Sequence, residues 1–233
     1  LKLVPDYKGV FRKMEAVHYY DYLPVISIRK QPLDDVFRRF MKRSFDLLFS
    51  AVVIVFLLTW LIPIIALLIR WESKGPIFFK QKRDGLNGIS FGCYKFRSMR
   101  SSEEANKIQA TKEDARITKM GAFMRKTSID ELPQFINVLL GNMSVVGPRP
   151  HMLQHTQEFS KSVNKYMVRH FVKPGITGLA QIKGYRGEIK VKSDINNRVK
   201  FDVFYLENWS LILDIRIVLQ TVSNAISGEE NAY

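Results

Sequence analysis

The stretch Leu47–Ile69, LLFSAVVIVFLLTWLIPIIALLI, decides the fold class because it contains 23 consecutive uncharged residues. As an α-helix rising about 1.5 Å per residue, it is long enough to cross a hydrocarbon core of about 30 Å. It begins well inside the chain, exceeds the length of a signal-peptide apolar region and is not followed by a small-residue cleavage site. We therefore expect this segment to lie in a membrane.

Basic residues flank the apolar segment on both sides, and Pro63 lies within it. The positive-inside rule favours placing both ends on the cytoplasmic side, which a straight span cannot satisfy. Pro63 removes a backbone donor, so the helix should kink or break there. Two arrangements remain open: a helix that enters and leaves the same leaflet, and a single-pass helix with a tolerated proline. The flanking cations are Arg38, Arg39, Lys42, Arg43, Arg70, Lys74, Lys80, Lys82 and Arg83.

Composition narrows the class of protein without choosing a partner. The chain has 233 residues, of which 46% are hydrophobic, and a formal net charge of +14. This hydrophobic content excludes a disordered tail, and a single cysteine, Cys93, excludes an intrachain disulfide framework. The positive charge suits anionic partners such as nucleic acid, phospholipid or sugar nucleotides.

The pattern of the remaining residues predicts an α+β fold that is mainly helical. Residues 1–33 form an irregular, Tyr-rich stub, residues 34–227 form the main domain, and residues 228–233 form a tail. The main domain opens with a basic amphipathic helix that leads into the membrane segment. Two strand-like runs, Ile77–Lys82 and Ile89–Phe96, are separated by Asp-Gly and Asn-Gly pairs and predict a small β-hairpin.

Apolar residues recur at helical spacing between Phe201 and Ser227. They predict two amphipathic helices that meet near residues 208–210. One interpretation places these helices at the membrane interface, with Trp209 at headgroup depth. The other makes them ordinary core helices.

The densest chemistry lies between Arg116 and Pro150. Because a proline outside the membrane is best tolerated in the first turn of a helix, Pro133 predicts a helix that begins near Ser128 to Asp130. Asp130 and Glu131 then lie at its N-terminus, where free backbone donors favour carboxylates and phosphates. The alternative is a capping box formed by Ser128 and Glu131. The expected apolar stripe of this helix is Leu132, Phe135, Ile136, Leu139 and Leu140.

Cations cluster in sequence around this acidic pair. Arginine suits phosphate because its planar guanidinium offers paired donors. A carboxylate pair that faces a phosphate also calls for a divalent cation, since it would otherwise repel the substrate. Each cation has the alternative role of satisfying helix carbonyls or covering a surface. The cations are Lys95, Arg97, Arg116, Arg125, Lys126 and Arg149.

Eight ordered motifs between about Asp34 and Ser227 resemble the bacterial sugar transferases, which are monotopic polyprenol-phosphate phosphoglycosyl transferases. Within this family the chain is most similar to the undecaprenyl-phosphate glucose phosphotransferases of exopolysaccharide synthesis. The motifs are Lys42-Arg43-x-Phe45-Asp46, Pro63 in the apolar run, Gly75-Pro76-x-Phe78-Phe79-x-Gln81, Lys95-Phe96-Arg97-Ser98-Met99, Ser128-x-Asp130-Glu131-Leu132-Pro133-Gln134, Gly147-Pro148-Arg149-Pro150, Pro174-Gly175-Ile176-Thr177-Gly178 and Asp202-x-x-Tyr205-x-x-Asn208-x-Ser210-x-x-x-Asp214.

The resemblance implies a reaction and roles for the site residues. A phosphosugar moves from a UDP-sugar to a polyprenol phosphate, UMP is released, and a covalent phosphosugar-aspartyl enzyme is the intermediate. Asp130 is then the nucleophile, and Glu131 holds Mg²⁺. Arg149 and Arg125 are the first candidates for the phosphates. Arg97, Arg116 and Lys95 follow them.

The resemblance also implies a location and partners. It favours a re-entrant helix broken at Pro63 and anchored by Arg43, interfacial C-terminal helices, and the cytoplasmic face of the bacterial inner membrane. Ile62 replaces the small polar residue often found before the proline, so Thr59 bonding back is expected to satisfy the break. The stub resembles the junction after an accessory region. A second copy of the chain is a further candidate partner, and nucleic acid is not expected.

A rival class is a basic, membrane-anchored module that binds nucleic acid or anionic lipid without catalysis. It accounts for the net charge and the apolar segment. It does not explain an Asp130-Glu131 pair at a predicted helix start.

Overall fold

Helices make up most of the part of the chain that the computed structural model describes, which is residues 14–20, 23–28, 31–100, 114–163, 165–187 and 192–227. The elements in chain order are β1 Met14–Tyr20, β2 Leu23–Ile28, α1 Val36–Val53, a π-helical turn Ile54–Leu58, α2 Thr59–Glu72, β3 Phe78–Asp84, β4 Ser90–Phe96, α3 Lys119–Thr127, a 3-10 turn Ile129–Glu131, α4 Gln134–Leu139, β5 Ser144–Val146, α5 Leu153–Ser162, a 3-10 turn Tyr166–Phe171, β6 Gly175–Thr177, α6 Leu179–Ile182, α7 Lys192–Glu207 and α8 Leu211–Ser227.

The predicted mainly helical class with a small hairpin is confirmed. Strands β3 and β4 pair antiparallel, with Phe78 opposite Phe96 and Asp84 opposite Ser90. The prediction that the N-terminal stub is irregular is wrong for Met14–Tyr20 and Leu23–Ile28, because these strands, β1 and β2, form a second antiparallel pair. The predicted tail, residues 228–233, lies outside the described residues.

The apolar segment forms part of a helical stretch that runs from Val36 to Glu72. The predicted break at Pro63 is wrong, because α2 continues through this proline. The backbone instead departs from α-helical geometry in the π-helical turn Ile54–Leu58. Thr59 does bond back, but to this turn rather than to a break at Pro63: its Oγ1 donates to the Ile54 carbonyl at 3.0 Å. Much of the helix surface is apolar and exposed, including Val55, Phe56, Trp60, Ile64 and Leu67.

Both ends of this helical stretch are attached to the folded domain. Near the start, Lys42 Nζ donates to the Val146 carbonyl at 2.9 Å. Beyond the end of α2, the Arg97 guanidinium donates to the Ser73 and Lys74 carbonyls at 2.7 and 2.8 Å. The Glu72 carboxylate also accepts from the first backbone N–H of α3, that of Lys119. Between these attachments Leu58, Ile65 and Ile69 are buried in the cores of the domain, so one face of the helical stretch packs against the domain while the other is exposed.

Arg43, which the sequence assigns to membrane anchoring, has a structural task as well. Its guanidinium donates to the Val138 and Leu139 carbonyls at 2.7 and 3.0 Å. Both carbonyls lie at the C-terminal end of the short helix α4, so Arg43 caps that helix.

The C-terminal helices α7 and α8 meet at residues 208–210, as the periodicity predicts. Trp209 does not lie at an exposed interface, because it is only 4% exposed and its indole N–H donates to Asp214 at 3.0 Å. For this residue the core-helix interpretation is the right one. Helix α8 also has an exposed apolar face, formed by Ile212, Ile215, Leu219 and Val222.

Candidate active site

Asp130 and Glu131 lie in the tight turn between α3 and α4. Ser128 ends α3 with a left-handed φ of 59°, which redirects the chain into the 3-10 turn. The predicted helix start is therefore several residues early, because α-helical structure begins only at Gln134. Both carboxylate residues are only 7% exposed. The turn thus presents two adjacent acids from a nearly buried position.

The predicted apolar stripe of α4 is only partly buried. Phe135 lies in the core, whereas Leu139 and Leu140 are 38% and 63% exposed. Asn137, a polar residue, takes a core position in their place. Its side chain accepts from the Tyr94 N–H and donates to the Gly92 carbonyl, both at 2.8 Å. Asn137 therefore fastens α4 to strand β4, which carries Lys95.

The alternative of a capping box between Ser128 and Glu131 is wrong. The Ser128 hydroxyl accepts from the Arg186 guanidinium at 2.6 Å and caps no backbone N–H of the turn. The carboxylate of Glu131 faces cations instead. Lys95 Nζ lies 2.7 Å from its Oε1, and Arg149 contacts both oxygens at 2.7 and 3.0 Å.

Arg186 is the third cation at Glu131, with its Nη2 at 3.8 Å from Oε2. Sequence reasoning missed this residue because it lies beyond the eight motifs. A usable signal was present, since Arg186 stands in the short segment Gly184-Tyr-Arg-Gly187, where flanking glycines allow a tight turn. Gly184 has a φ of +86°, which favours glycine.

The two carboxylates differ sharply in their electrostatics. Burial alone would raise the pKa of Glu131, but Arg149, Lys95 and Arg186 hold it well below its usual value. Burial raises the pKa of Asp130 from 3.8 to about 6, helped by the adjacent charge of Glu131 and opposed by Lys95. Within the described residues, no hydrogen bond or ion pair engages the Asp130 carboxylate. The turn therefore holds one neutralised and one uncommitted carboxylate.

Arg149 reaches Glu131 from the Gly147-Pro148-Arg149-Pro150 loop that follows β5. This strand pairs parallel with β6, so the loop lies against the Pro174-Gly175 turn. A Cβ on Gly175 would come within 2.1 Å of the Gly147 nitrogen, so this approach requires glycine. Gly147 N–H donates to Thr177 and Gly175 N–H to Pro148, both at 2.9 Å. Two of the sequence motifs thus form one rigid support for Arg149.

The other predicted phosphate-binding residues separate into two groups. Arg125 remains in the site, because its charge acts on Asp130 and its Nε donates to Ser98 at 3.2 Å. Arg97 is only 6% exposed and satisfies the carbonyls after α2, so the structural alternative applies to it. Arg116 forms a two-pronged ion pair with Asp114, with Nε 2.9 Å from Oδ1 and Nη2 2.6 Å from Oδ2. Lys95 and Arg149 lie on Glu131 as described.

In the part of the chain that the structure describes, the acidic pair has few neighbouring groups that could also ligate Mg²⁺. Within the described residues no group of three or more His, Cys, Asp or Glu side chains comes together. Asp130 and Glu131 are two carboxylates, which suits Mg²⁺ when it binds through one or two acids and substrate phosphates. Because Lys95 and Arg149 contact both Glu131 oxygens, the residues fit a metal that arrives with a diphosphate only when these cations turn from Glu131 to the phosphates.

These features define a class of protein in which an acidic pair, surrounded by cations, lies on a domain fastened to both ends of a long apolar helix. The profile of the family described as bacterial sugar transferase matches residues 37–228. The chain belongs to this family.

Curated relatives support this assignment across most of the chain. A UDP-glucose:undecaprenyl-phosphate glucose-1-phosphate transferase of Klebsiella pneumoniae is 45% identical over 86% of this chain and 43% of its own length. A protein of the same name from Xanthomonas campestris pv. campestris is 42% identical over 100% of this chain and 48% of its own length. An Aeromonas hydrophila UDP-N-acetylgalactosamine-undecaprenyl-phosphate N-acetylgalactosaminephosphotransferase is 41% identical over 81% and 44%, respectively. The chain thus spans less than half the length of these relatives.

Proposed function

We propose that this chain transfers a hexose-1-phosphate from a UDP-sugar to undecaprenyl phosphate, the first membrane step of exopolysaccharide or other glycoconjugate synthesis. The observation that carries the proposal is the contrast within the acidic pair: Glu131 is neutralised by three cations, whereas Asp130 is uncommitted. An ionised carboxylate beside phosphate-binding cations is a suitable nucleophile for a diphosphate because it needs no general base. The names of the relatives support the same substrates.

The proposed reaction has two displacements at one phosphorus atom. In the first, an Asp130 oxygen attacks the sugar-bearing phosphorus of the UDP-sugar, the diphosphate bond breaks and UMP leaves. In the second, a phosphate oxygen of undecaprenyl phosphate attacks the same phosphorus. The bond to Asp130 then breaks, which restores the carboxylate and leaves undecaprenyl-diphosphate sugar. Arg149, Lys95, Arg186 and Arg125 would stabilise the charge on the phosphates during both displacements.

The direct test is UMP release by detergent-solubilised protein supplied with a UDP-sugar and polyprenol phosphate. We expect UMP to appear with both substrates present, with UDP-glucose as the preferred donor. A panel of UDP-glucose, UDP-galactose and the N-acetylated UDP-hexoses would identify the sugar. A protein that binds these ligands but releases no UMP from any of them would instead be the basic binding module.

Mg²⁺ bound at Glu131 would supply positive charge to the diphosphate as the bond to UMP breaks. Glu131→Gln keeps the shape of the side chain and removes its charge. We expect UMP release by this variant to fall at least tenfold and to need more Mg²⁺ for half-maximal rate, as measured by Mg²⁺ titration. A titration curve with the same midpoint as that of the parent would place the metal elsewhere.

Arg149 offers a second prediction, based on its two-pronged contact with Glu131. Arg149→Ala should lower kcat/KM by roughly ten- to a hundredfold, because one charge-assisted contact contributes on the order of 1.5 to 3 kcal/mol. Arg149→Lys should restore only part of this loss, since lysine lacks the paired donors.

The matched control for Arg149 is Lys126→Ala, which removes a cation from an exposed position on α3. Steady-state kinetics at fixed Mg²⁺ and lipid would compare the four proteins. Full rescue by lysine would mean that Arg149 contributes only its positive charge. If the alanine variant kept the kcat/KM of the parent, Arg149 would not be part of the site.

We also propose that the apolar segment is re-entrant and lies with its domain on the cytoplasmic face of the inner membrane. The attachment of both ends to one domain supports this geometry, since a straight 23-residue helix would separate its ends by about 35 Å. The exposed apolar residues of α8 would lie at the same membrane surface.

Cysteine labelling tests this topology in membrane vesicles after Cys93→Ala. Single cysteines at the exposed positions Arg39 and Lys74 should both react with a membrane-impermeant reagent from the cytoplasmic side. A cysteine at Phe56, in the π-helical turn, should be protected because it lies in lipid. Labelling of the Lys74 position only from the opposite side would establish a true span.

A further inference from the structure

A cluster of buried polar side chains lies behind the arginines of the candidate site and plays no part in the chemistry proposed above. Its members are each no more than 7% exposed and come from the loop after β5, the 3-10 turn 166–171 and helix α7. The cluster comprises His151, Tyr166, Arg169, Arg198 and Asp202.

Arg169 connects this cluster to the loop that carries Arg149. Its Nη2 donates to the main-chain carbonyl of Arg149 at 2.8 Å and lies 3.0 Å from Asp202 Oδ2. Its Nη1 lies 2.9 Å from His151 Nδ1. Arg169 therefore holds the main chain of Arg149 itself, on one side of Pro150, and contacts the side chain of His151 on the other side.

Arg198 makes the corresponding contact with the second loop. Its Nη1 lies 3.2 Å from Nε2 of the same histidine, and its Nη2 donates to the Gly187 carbonyl at 3.0 Å. Gly187 directly follows Arg186, which lies near Glu131. His151 thus stands between two buried arginines, each fastened to a loop that brings another arginine to the acidic pair.

Burying two guanidinium groups is energetically unfavourable, which indicates that the cluster has a role beyond packing. Removing guanidinium groups from water costs several kcal/mol per ion before pairing, and apolar side chains of similar volume often stabilise a core as well. What apolar side chains cannot do is hold a main-chain carbonyl by a directed bond. A two-pronged contact such as that of Arg149 depends on this precision, because displacement by about 1 Å can cost about a hundredfold in rate.

We propose that Arg169 and Arg198 are positioning residues that act through the main chain: Arg169 aims Arg149 at the reacting phosphates, and Arg198 aims Arg186. The kinetic readout rests on the proposed transferase activity. The geometry itself does not. Lysine cannot replace either residue, because a single Nζ cannot serve the loop carbonyl and the cluster in the directions that a planar guanidinium does.

A set of double-mutant cycles tests this pairing. Arg169→Lys alone should lower kcat/KM about tenfold, mainly through kcat, yet change it less than about twofold when Arg149→Ala is already present. Arg198→Lys should show the same dependence on Arg186→Ala. The crossed pairs, Arg169→Lys with Arg186→Ala and Arg198→Lys with Arg149→Ala, should be close to additive. Equal losses in all backgrounds would overturn the proposal and leave the cluster a purely structural role.

Two further measurements keep the inference independent of folding and of activity. If Arg169→Lys fails to fold, Tyr166→Phe takes its place in the cycle. It removes a hydroxyl that lies 2.7 Å from His151 and 3.4 Å from Arg169, and it should couple to Arg149→Ala in the same way but more weakly. A crystal structure of Arg169→Lys should show Arg149 without its two-pronged contact. An unchanged Arg149–Glu131 pair would overturn the positioning role, whereas absence of UMP release by the parent would count only against the proposed function.

Discussion

Asp130→Asn is expected to abolish UMP release and the covalent phosphosugar adduct. The amide keeps the shape of the side chain but cannot act as a nucleophile toward phosphorus. The expected loss exceeds that for any cation of the site, because each cation only stabilises charge whereas Asp130 forms the bond. The measurement is UMP release together with intact-protein mass after incubation with the UDP-sugar alone.

The stability of the same variant should change in the opposite direction from its activity. The pKa of Asp130 is about 6 in the folded chain against an ordinary value of 3.8, so the fold disfavours the ionised form. Above pH 6 the parent therefore bears a cost that a neutral asparagine lacks. Asp130→Asn should unfold at the same temperature as the parent or a higher one at pH 8. Residual turnover above a few per cent in this folded variant would remove Asp130 as the nucleophile.

Asp114→Asn is the matched control for this experiment. Asp114 is an acid of the same region, but its carboxylate pairs with Arg116 and lies outside the acidic pair. Its replacement should leave the covalent adduct intact. Loss of the adduct in both variants would indicate a general effect of removing negative charge rather than chemistry at Asp130.

The sequence predicts elements of this fold well where a short-range pattern determines them. The hairpin follows from alternating residues and glycine turns, and the junction of α7 and α8 follows from helical periodicity. The position of the helix irregularity does not follow from Pro63 alone. A π-helical turn upstream, closed by Thr59, accommodates the chain before the proline is reached. Local rules therefore identified the affected helix but not the affected turn.

The candidate site shows a similar division. Asp130, Glu131, Lys95 and Arg149 are brought together as the motifs predict. Arg97 and Arg149 are the same residue type and each lies in one of the motifs, yet of the two only Arg149 contacts Glu131. The Arg97 guanidinium instead donates to the Ser73 and Lys74 carbonyls that follow α2, which are more than twenty residues away in the sequence. Which arginine satisfies a helix end and which faces a substrate is decided by tertiary packing, so residue type alone cannot assign it.

Packing also explains why the rival binding module fits the chain poorly. Several of the cations that produce the net charge of +14 are committed to internal contacts rather than to a solvated basic face. Lys42, Arg97, Arg169 and Arg198 are all at most 8% exposed. Part of the positive charge of the chain therefore has a structural role, because these buried cations bind carbonyls and carboxylates of loops and helix ends around the acidic turn.

Lys42→Met is expected to destabilise the folded chain by about 3 to 5 kcal/mol, the cost of leaving buried charge without its partner. Lys42 Nζ lies 2.8 Å from Asp214 and 3.5 Å from Asp46. Asp214 also accepts from Tyr205 and Trp209, and Asp46 accepts from Ser144 Oγ and the Val145 N–H. Methionine fills much of the same volume, so the loss is that of the cation rather than of packing.

The control and the rescue together make this expectation decisive. Lys200→Met, at an exposed position on α7, should shift the free energy of unfolding by no more than about 0.5 kcal/mol. Adding Asp214→Asn to Lys42→Met should restore part of the loss, because the unpaired charge is gone. The amide oxygen can still accept from Trp209, and the amide NH2 can donate to the Tyr205 hydroxyl, which itself donates to the Val146 carbonyl. Denaturant unfolding in detergent would compare the four proteins. If Lys42→Met matched the Lys200 control, the buried cation would not be what joins α1 to β5 and α8. The support of the Gly147–Pro150 loop would then have to come from the β5–β6 pairing and the Arg169 contact alone.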